Sequence, residues 1–246
     1  MGLIHNQMEI LDCFTNLVAS FHQVDDRERA QVCQISESMA RQVRENIITC
    51  AGLQKEKDFV LTVNCVITPE SIQSVREVME FCFQHGIQFE GVPVALEGGW
   101  PNPGLMGNKD YQELVGEIIE AKRKGYPIIG SFLYFDHILD FKEFDCHPTL
   151  APYVAPNGDI FYACPLIGTI RANLFECGSV ERALKALQEG IREHGGLPQK
   201  CGKRCFKVGN TETALAMRHP FSWISNLRKD QRGKGRAKYP RRDVSN

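Results

Sequence analysis

The chain has 246 residues, 43% of them hydrophobic, and a formal net charge of −1. That length and apolar content suit one large domain or a medium domain with an appendage, and the charge balance gives no general attraction for nucleic acid. Met1–Glu9 has no basic segment followed by an apolar run, and no stretch approaches the roughly 20 apolar residues of a membrane span, so the expectation is a cytoplasmic protein without signal or anchor. In a reducing compartment the ten cysteines read as ligands or small core residues, not as disulfides.

The first half of the chain reads as strands alternating with amphipathic helices. Asn16–Phe21 is a short apolar run at the start of the pattern. Val43, Ile47, Cys50 and Leu53 form one stripe of a helix over Glu37–Lys57. Phe59–Ile67 is rich in β-branched residues and suits a buried parallel strand. Thr68, Pro69 and Glu70 then read as cap, first helical residue and first-turn acid. The helix they open carries Ile72, Val75, Met79, Cys82 and Phe83 on one face and stops at Gly86. Ile87–Val94 is the next strand, and strand, helix and strand this close together predict a βαβ unit with parallel pairing.

A glycine- and proline-rich loop follows over Glu97–Gly107, in the position after a parallel strand where α/β proteins place ligands. Its Trp100 is either a pocket wall or a packed connector. Asn108 caps a helix bearing Tyr111, Leu114, Val115, Ile118 and Ile119 that ends near Gly125, and Tyr126–Leu133 is expected as a fourth strand. Four strands cannot close a barrel, and the chain enters the pattern at its first strand. The fold class expected is therefore α/β, an incomplete parallel (β/α) barrel of about four strands.

After Phe135 the texture changes to short strands, turn residues and cysteines. Asn157-Gly158 signals a hairpin between Tyr153–Ala155 and Ile160–Tyr162. Ser179 caps a helix over Val180–Glu193, and Gly195-Gly196 breaks the pattern before a Cys201–Cys205 loop. This second part is expected to be a small Cys-rich α+β hairpin domain. The boundaries drawn are 1–140, 141–222 and 223–246. In the last of these Arg228, Lys229, Arg232, Lys234, Arg236, Lys238, Arg241 and Arg242 stand without apolar periodicity, which reads as a solvated, disordered tail in preference to a patch for an anionic partner.

Four cysteines carry the strongest chemical signal. Cys146 and Cys164 flank the hairpin, and Cys201 and Cys205 close a tight loop after a helix. Four thiolates brought together suit either an iron–sulfur cluster or tetrahedral zinc. Cys177, before a helix, could replace one of them or simply pack. His147, between Cys146 and Pro148, is either a ligand or a turn residue, the second being preferred. Cys50 and Cys82 fall on apolar helix faces and read as core. Asn64 is a polar residue in an apolar strand and must find a hydrogen bond. Glu90 either faces the ligand end of the sheet or is an exposed strand terminus, the second being preferred.

Together these segments resemble the C-terminal portion of a radical S-adenosylmethionine enzyme. Leu17–Phe21, Leu61–Ile67 with its central Asn64, and Ile87–Glu90 look like the later strands of that family's partial barrel. Cys146 to Cys205 looks like its auxiliary-cluster extension, the twitch or SPASM domain. The resemblance implies one auxiliary [4Fe–4S] cluster on Cys146, Cys164, Cys201 and Cys205. It also implies contact between Asn64 and S-adenosylmethionine, given a source of the missing front half, such as a chain supplying those strands, and a peptide or small-molecule substrate. The sequence departs from the family at several points. The Cys-x3-Cys-x2-Cys motif is absent, Val208 stands where its third cysteine would follow Cys201-x3-Cys205, His22 replaces the usual Asp, and five residues separate Gly158 from Cys164. The first rival reading is a non-catalytic zinc-binding interaction module on an α/β scaffold, and the last is an ordinary α/β hydrolase or transferase whose cysteines are incidental.

Overall fold

The computed structural model describes residues 8–96, 100–145, 153–161, 171–193, 204–221 and 224. Two compact units emerge. One comprises the chain up to Pro93 together with Asn108–Gly130, and the other comprises Val94–Gly107 and Ser131–Asn226. No helix among the described residues is long and apolar enough to cross a membrane.

The first unit is α/β. Strands β1 (Asn16–Ser20), β2 (Val60–Ile67) and β3 (Gln88–Pro93) form a parallel sheet in the consecutive order β1-β2-β3. Helices α1 (Asp26–Cys33) and α2 (Glu37–Leu53) connect the first two strands, and α3 (Ile72–His85) connects the second two. Helix α4 (Lys109–Arg123) packs against α3. Leu61, Val63, Cys65 and Ile67 of β2 are fully buried, as are Val75, Val78 and Cys82 of α3. This is the apolar face of the sheet, and Phe21 stacks on Phe81 of α3 at 5.2 Å between ring centres. Its burial accounts for most of the unit's stabilisation, since each such side chain contributes about 1.5–3 kcal/mol.

Most sequence signals act as expected, with local shifts. Gly86 adopts the left-handed conformation at φ 66° and donates its N–H to the Cys82 and Phe83 carbonyls, ending α3. Asn108 caps α4 through the Tyr111 N–H. The start of α3 lies three residues later than Pro69 suggests. Thr68 and Ser71 instead exchange hydrogen bonds, each backbone N–H donating to the other's hydroxyl at 2.8 and 3.1 Å, and this reciprocal turn precedes the helix.

The expected fourth strand over Tyr126–Leu133 is corrected. Only Ile128 joins the sheet, by a parallel bridge to Phe89. Phe89 donates to the Pro127 carbonyl and accepts from the Ile129 N–H, both at 2.9 Å. Pro127 has no N–H to extend the ladder, Gly130 turns the chain at φ 107°, and Ser131 caps a helix through the Tyr134 N–H. The apolar run Phe132–Leu133 is therefore the start of helix α5 (Phe132–Ile138).

In the second unit the hairpin forms at the place the Asn-Gly signal gives. Strands β4 (Tyr153–Val154), β5 (Asp159–Phe161) and β6 (Arg171–Asn173) make an antiparallel sheet in that order. Gly158 donates to the Ala155 carbonyl at 2.9 Å and sits at φ 84°, a conformation that glycine adopts without strain. Asp159 ties the sheet together by accepting from Asn157, Asn173 and Arg171 side chains at 2.9 to 3.2 Å. Those bonds, Asn173 first, hold its carboxyl below the usual carboxylate range. Helices α6 (Leu174–Cys177) and α7 (Val180–Glu193) follow, with Ser179 accepting from the Arg182 N–H. Ile160, Ala183 and Leu187 form a small buried cluster, and Cys177 packs against it with Ala172, Leu174, Leu184 and Ile191. Helix α8 (Val208–Arg218) packs on α5.

Candidate functional site

Side chains alternate along a strand, so the sheet's second face carries the residues between the buried apolar ones. On β2 these are Thr62, Asn64 and Val66, and on β3 they are Gln88, Glu90 and Val92. The parallel register sets them in rows. Val18 lies beside Thr62 and Thr62 beside Gln88, while Ser20 lies beside Asn64 and Asn64 beside Glu90. Thr62 Oγ1 donates to Gln88 Oε1 at 3.1 Å, and Asn64 Nδ2 donates to Glu90 Oε2 at 3.0 Å. Glu90 is thus a half-buried member of β3 bonded across the sheet, and not the exposed terminus expected from its position.

One step further along the strands, His22 joins the same face. Its Nδ1 accepts the Val66 backbone N–H at 3.2 Å. A ring nitrogen that accepts cannot carry the proton, so neutral His22 has its proton on Nε2. Burial holds its pKa below the ordinary value of 6.5. The row therefore offers acceptors at Asn64 and Glu90 and donors at Ser20 and His22, running from the carboxyl end of β1 across the middle of β2 and β3. The sequence signal for this row is Asn64 itself, a polar residue within an apolar strand, while its neighbours Ser20 and Glu90 follow only from the register.

The candidate metal ligands fall differently. Cys146, Cys164 and Cys201 lie outside the described residues, as does His147. Cys205 is half-buried, and its Sγ accepts the Lys207 backbone N–H at 3.4 Å. Its carbonyl accepts from His137 Nε2 at 3.0 Å and from Thr211 Oγ1 at 3.3 Å. A carbonyl can only accept, so His137 is protonated on Nε2, and burial in the first place lowers its pKa. These bonds hold the backbone on either side of the Cys205 sulfur. Among the described residues no three His, Cys, Asp or Glu side chains gather to hold a metal ion.

The remaining cysteines divide by burial. Cys50, Cys65 and Cys82 are buried, and burial raises all three thiol pKa values, that of Cys65 to about 12. Cys13 and Cys33 are exposed. Since the thiolate is the reactive form, a maleimide added to the native protein is expected to modify Cys13 and Cys33 and to spare Cys50, Cys65 and Cys82 until the chain unfolds. Mass mapping of the labelled peptides reads this directly. Native labelling of Cys65 or Cys82 would contradict the packing described above. Trp100 is exposed and its carbonyl accepts from Leu96 N–H at 2.9 Å, which closes the described part of the 97–107 loop.

The histidines set an acid limit on stability. His22, His85 and His137 all have folded pKa values below 6.5, burial being the largest cause of each. Below about pH 6.5 the unfolded chain takes up protons that the folded chain refuses, so stability is present above that pH and is lost as pH falls towards the folded values. The melting temperature is expected to drop between pH 7 and 5.5. The drop should shrink in His22→Asn, whose side-chain carbonyl can accept the same Val66 N–H. An unchanged slope in that variant would remove His22 from the account.

Comparison of the chain with protein-family models, with curated proteins and with solved structures returns no match.

Proposed function

We propose that the chain is the C-terminal portion of a radical S-adenosylmethionine protein. Its first part is a partial (β/α) barrel whose polar face, with Asn64 at the centre, meets S-adenosylmethionine or substrate. Its second is a twitch or SPASM-like module in which Cys146, Cys164, Cys201 and Cys205 hold one auxiliary [4Fe–4S] cluster. The observation that carries this reading is the register-matched row Ser20–Asn64–Glu90 on a parallel sheet wound in consecutive order. Doubly wound sheets reverse their strand order at the ligand site, whereas barrels wind in one direction and present side chains inward. Right-handed crossovers that advance in one direction leave their helices on one face, and a polar row on the other face is what a ligand-facing interior requires.

A bound [4Fe–4S] cluster would supply a one-electron relay or an iron site that anchors substrate. In this reading the chain's own residues bind and position. Asn64 offers its side-chain oxygen while its amide is held by Glu90, His22 presents Nε2–H, and Cys205 presents a sulfur held by the Lys207 N–H. With no Cys-x3-Cys-x2-Cys in the sequence, the chain does not cleave S-adenosylmethionine by itself.

The test is anaerobic reconstitution of the full chain with iron and sulfide. The expected product is brown, with about four irons per chain, and melts higher than the chelated protein because the cluster binds only the folded state. Cys205→Ser should lower the iron content. A colourless protein with about one zinc per chain would instead support the zinc-module reading, and a melting temperature indifferent to iron, sulfide and zinc would defeat both.

A further inference from the structure

Among the described residues β1 is an edge strand, and its outer edge has a pattern that complements itself. Phe21 N–H donates to the Asn64 carbonyl and Thr15 carbonyl accepts from the Val60 N–H. Backbone groups alternate in direction along a strand, so those of Leu17 and Ala19 also point to β2, and those of Asn16, Val18 and Ser20 point away from it. All three outward residues are exposed, Val18 at 60%, and Phe14 just before the strand is also exposed. Edge strands are ordinarily protected by charge, proline or a bulge. Asn16–Ser20 contains no charged residue and no proline.

We propose that this edge is a dimer interface between two copies of the chain, with β1 pairing antiparallel to β1 of the second copy about a two-fold axis at Val18. That register sets Val18 against Val18 of the second copy and Asn16 against its Ser20. Each outward residue then meets another outward residue, so about six interchain hydrogen bonds form without a slip. The side chains agree with the same axis. The two valines meet at the centre, an amide meets a hydroxyl on either side, and no like charges face each other. Continuing the register brings the exposed Phe14 opposite His22 of the second copy. The result is one six-stranded sheet from two three-stranded ones, an isologous contact that closes at two subunits. The contact is short, so the dimer is concentration-dependent and not obligate.

Sedimentation velocity over a concentration series of the 246-residue chain tests this. Wild type should pass from monomer to dimer and no further. Val18→Lys places like charges directly opposite each other across the axis and should weaken association at least about tenfold, and Val18→Glu should do the same. An equal mixture of V18K and V18E should recover the dimer. Phe221→Ser, at the most exposed of the apolar side chains, should leave association unchanged. The V18K and V18E side chains project from an exposed position, and matching circular dichroism spectra confirm that both variants fold. Monomeric wild type at every concentration overturns the proposal and leaves the edge to another occupant, such as a chain bringing parallel strands. So do growth beyond the dimer and a charge-swapped mixture that stays monomeric. Iron content is read on the same samples, so loss of the dimer and failure of the cluster reading appear as separate results.

Discussion

Replacing Arg29 with Ala is expected to destabilise the first unit by about 2–4 kcal/mol. Arg29 is only 2% exposed. Its guanidinium donates to the carbonyls of Gln23 and Ala40 and to the Asp26 carboxylate, and it lies over the Phe21 ring with its central carbon 4.5 Å from the ring centre. These contacts tie α1 to the start of α2 and to the end of β1. Truncation leaves the Gln23 carbonyl without this donor, at about 1–3 kcal/mol for a buried group, and removes the second donor of the Ala40 carbonyl, which keeps its helical N–H, along with the packing of the guanidinium on Phe21. Asp26 is not abandoned, because Arg44 holds it through both carboxylate oxygens at 2.9 and 3.0 Å. That pairing, foremost the Arg44 hydrogen bonds, keeps the Asp26 pKa below its usual value. The loss therefore falls short of the 3–5 kcal/mol of a fully orphaned buried charge. Arg29→Lys should lose less than Arg29→Ala, since an ammonium keeps the charge but cannot span three acceptors in a fixed fork. Urea titration of the three proteins reads the order. Arg29→Ala within 0.5 kcal/mol of wild type, on the order of a neutral surface change, would mean the Gln23 carbonyl finds another donor.

The same residue shows why α1 escapes a reading of the sequence. Its buried positions are Arg29 and Ala30, so no apolar stripe marks it and its burial depends on a cation that the tertiary structure satisfies. Helix α3 is the opposite case. Ile72, Val75, Met79, Cys82 and Phe83 recur at helical spacing and Gly86 supplies the stop, so local chemistry alone defines nearly all of it. The run from Tyr126 to Leu133 misleads because β-branched and aromatic residues occur on both sides of Gly130, while the turn and the Ser131 cap divide it between a single bridge and a helix. Asn64 was legible as a polar group in need of a partner. That the partner is Glu90 was not, because it depends on the register of β2 against β3, which no single strand encodes. Among the four cysteines that carry the metal reading, only Cys205 lies within the described residues. Its N–H···S bond and pinned carbonyl are tertiary facts that spacing does not contain.

In the second unit Tyr134→Ala is expected to cost about 3–5 kcal/mol, and Tyr134→Phe only about 1–2 kcal/mol. Tyr134 is fully buried in α5, and its hydroxyl donates to the Phe206 carbonyl at 2.9 Å. One turn on, His137 holds the adjacent Cys205 carbonyl at 3.0 Å, and at the head of the helix Ser131 donates its hydroxyl to Glu212 of α8 at 2.8 Å. Three side-chain contacts thus fix the segment carrying Cys205 between α5 and α8. The phenylalanine variant separates the hydrogen bond from the packing, since it keeps the ring and leaves one carbonyl unpaired. The alanine variant also opens a cavity beside Phe135, whose ring sits edge-on to Tyr134 at 5.5 Å. Hydrogen exchange should show faster exchange in both α5 and α8 of the alanine variant, and the Cys205 thiol should become more reactive, because the backbone that presents it is released from the same helix. If exchange rises in α5 alone, the Cys205 segment is held by something other than this contact, and the anchoring argued for it from His137 and Tyr134 fails with it.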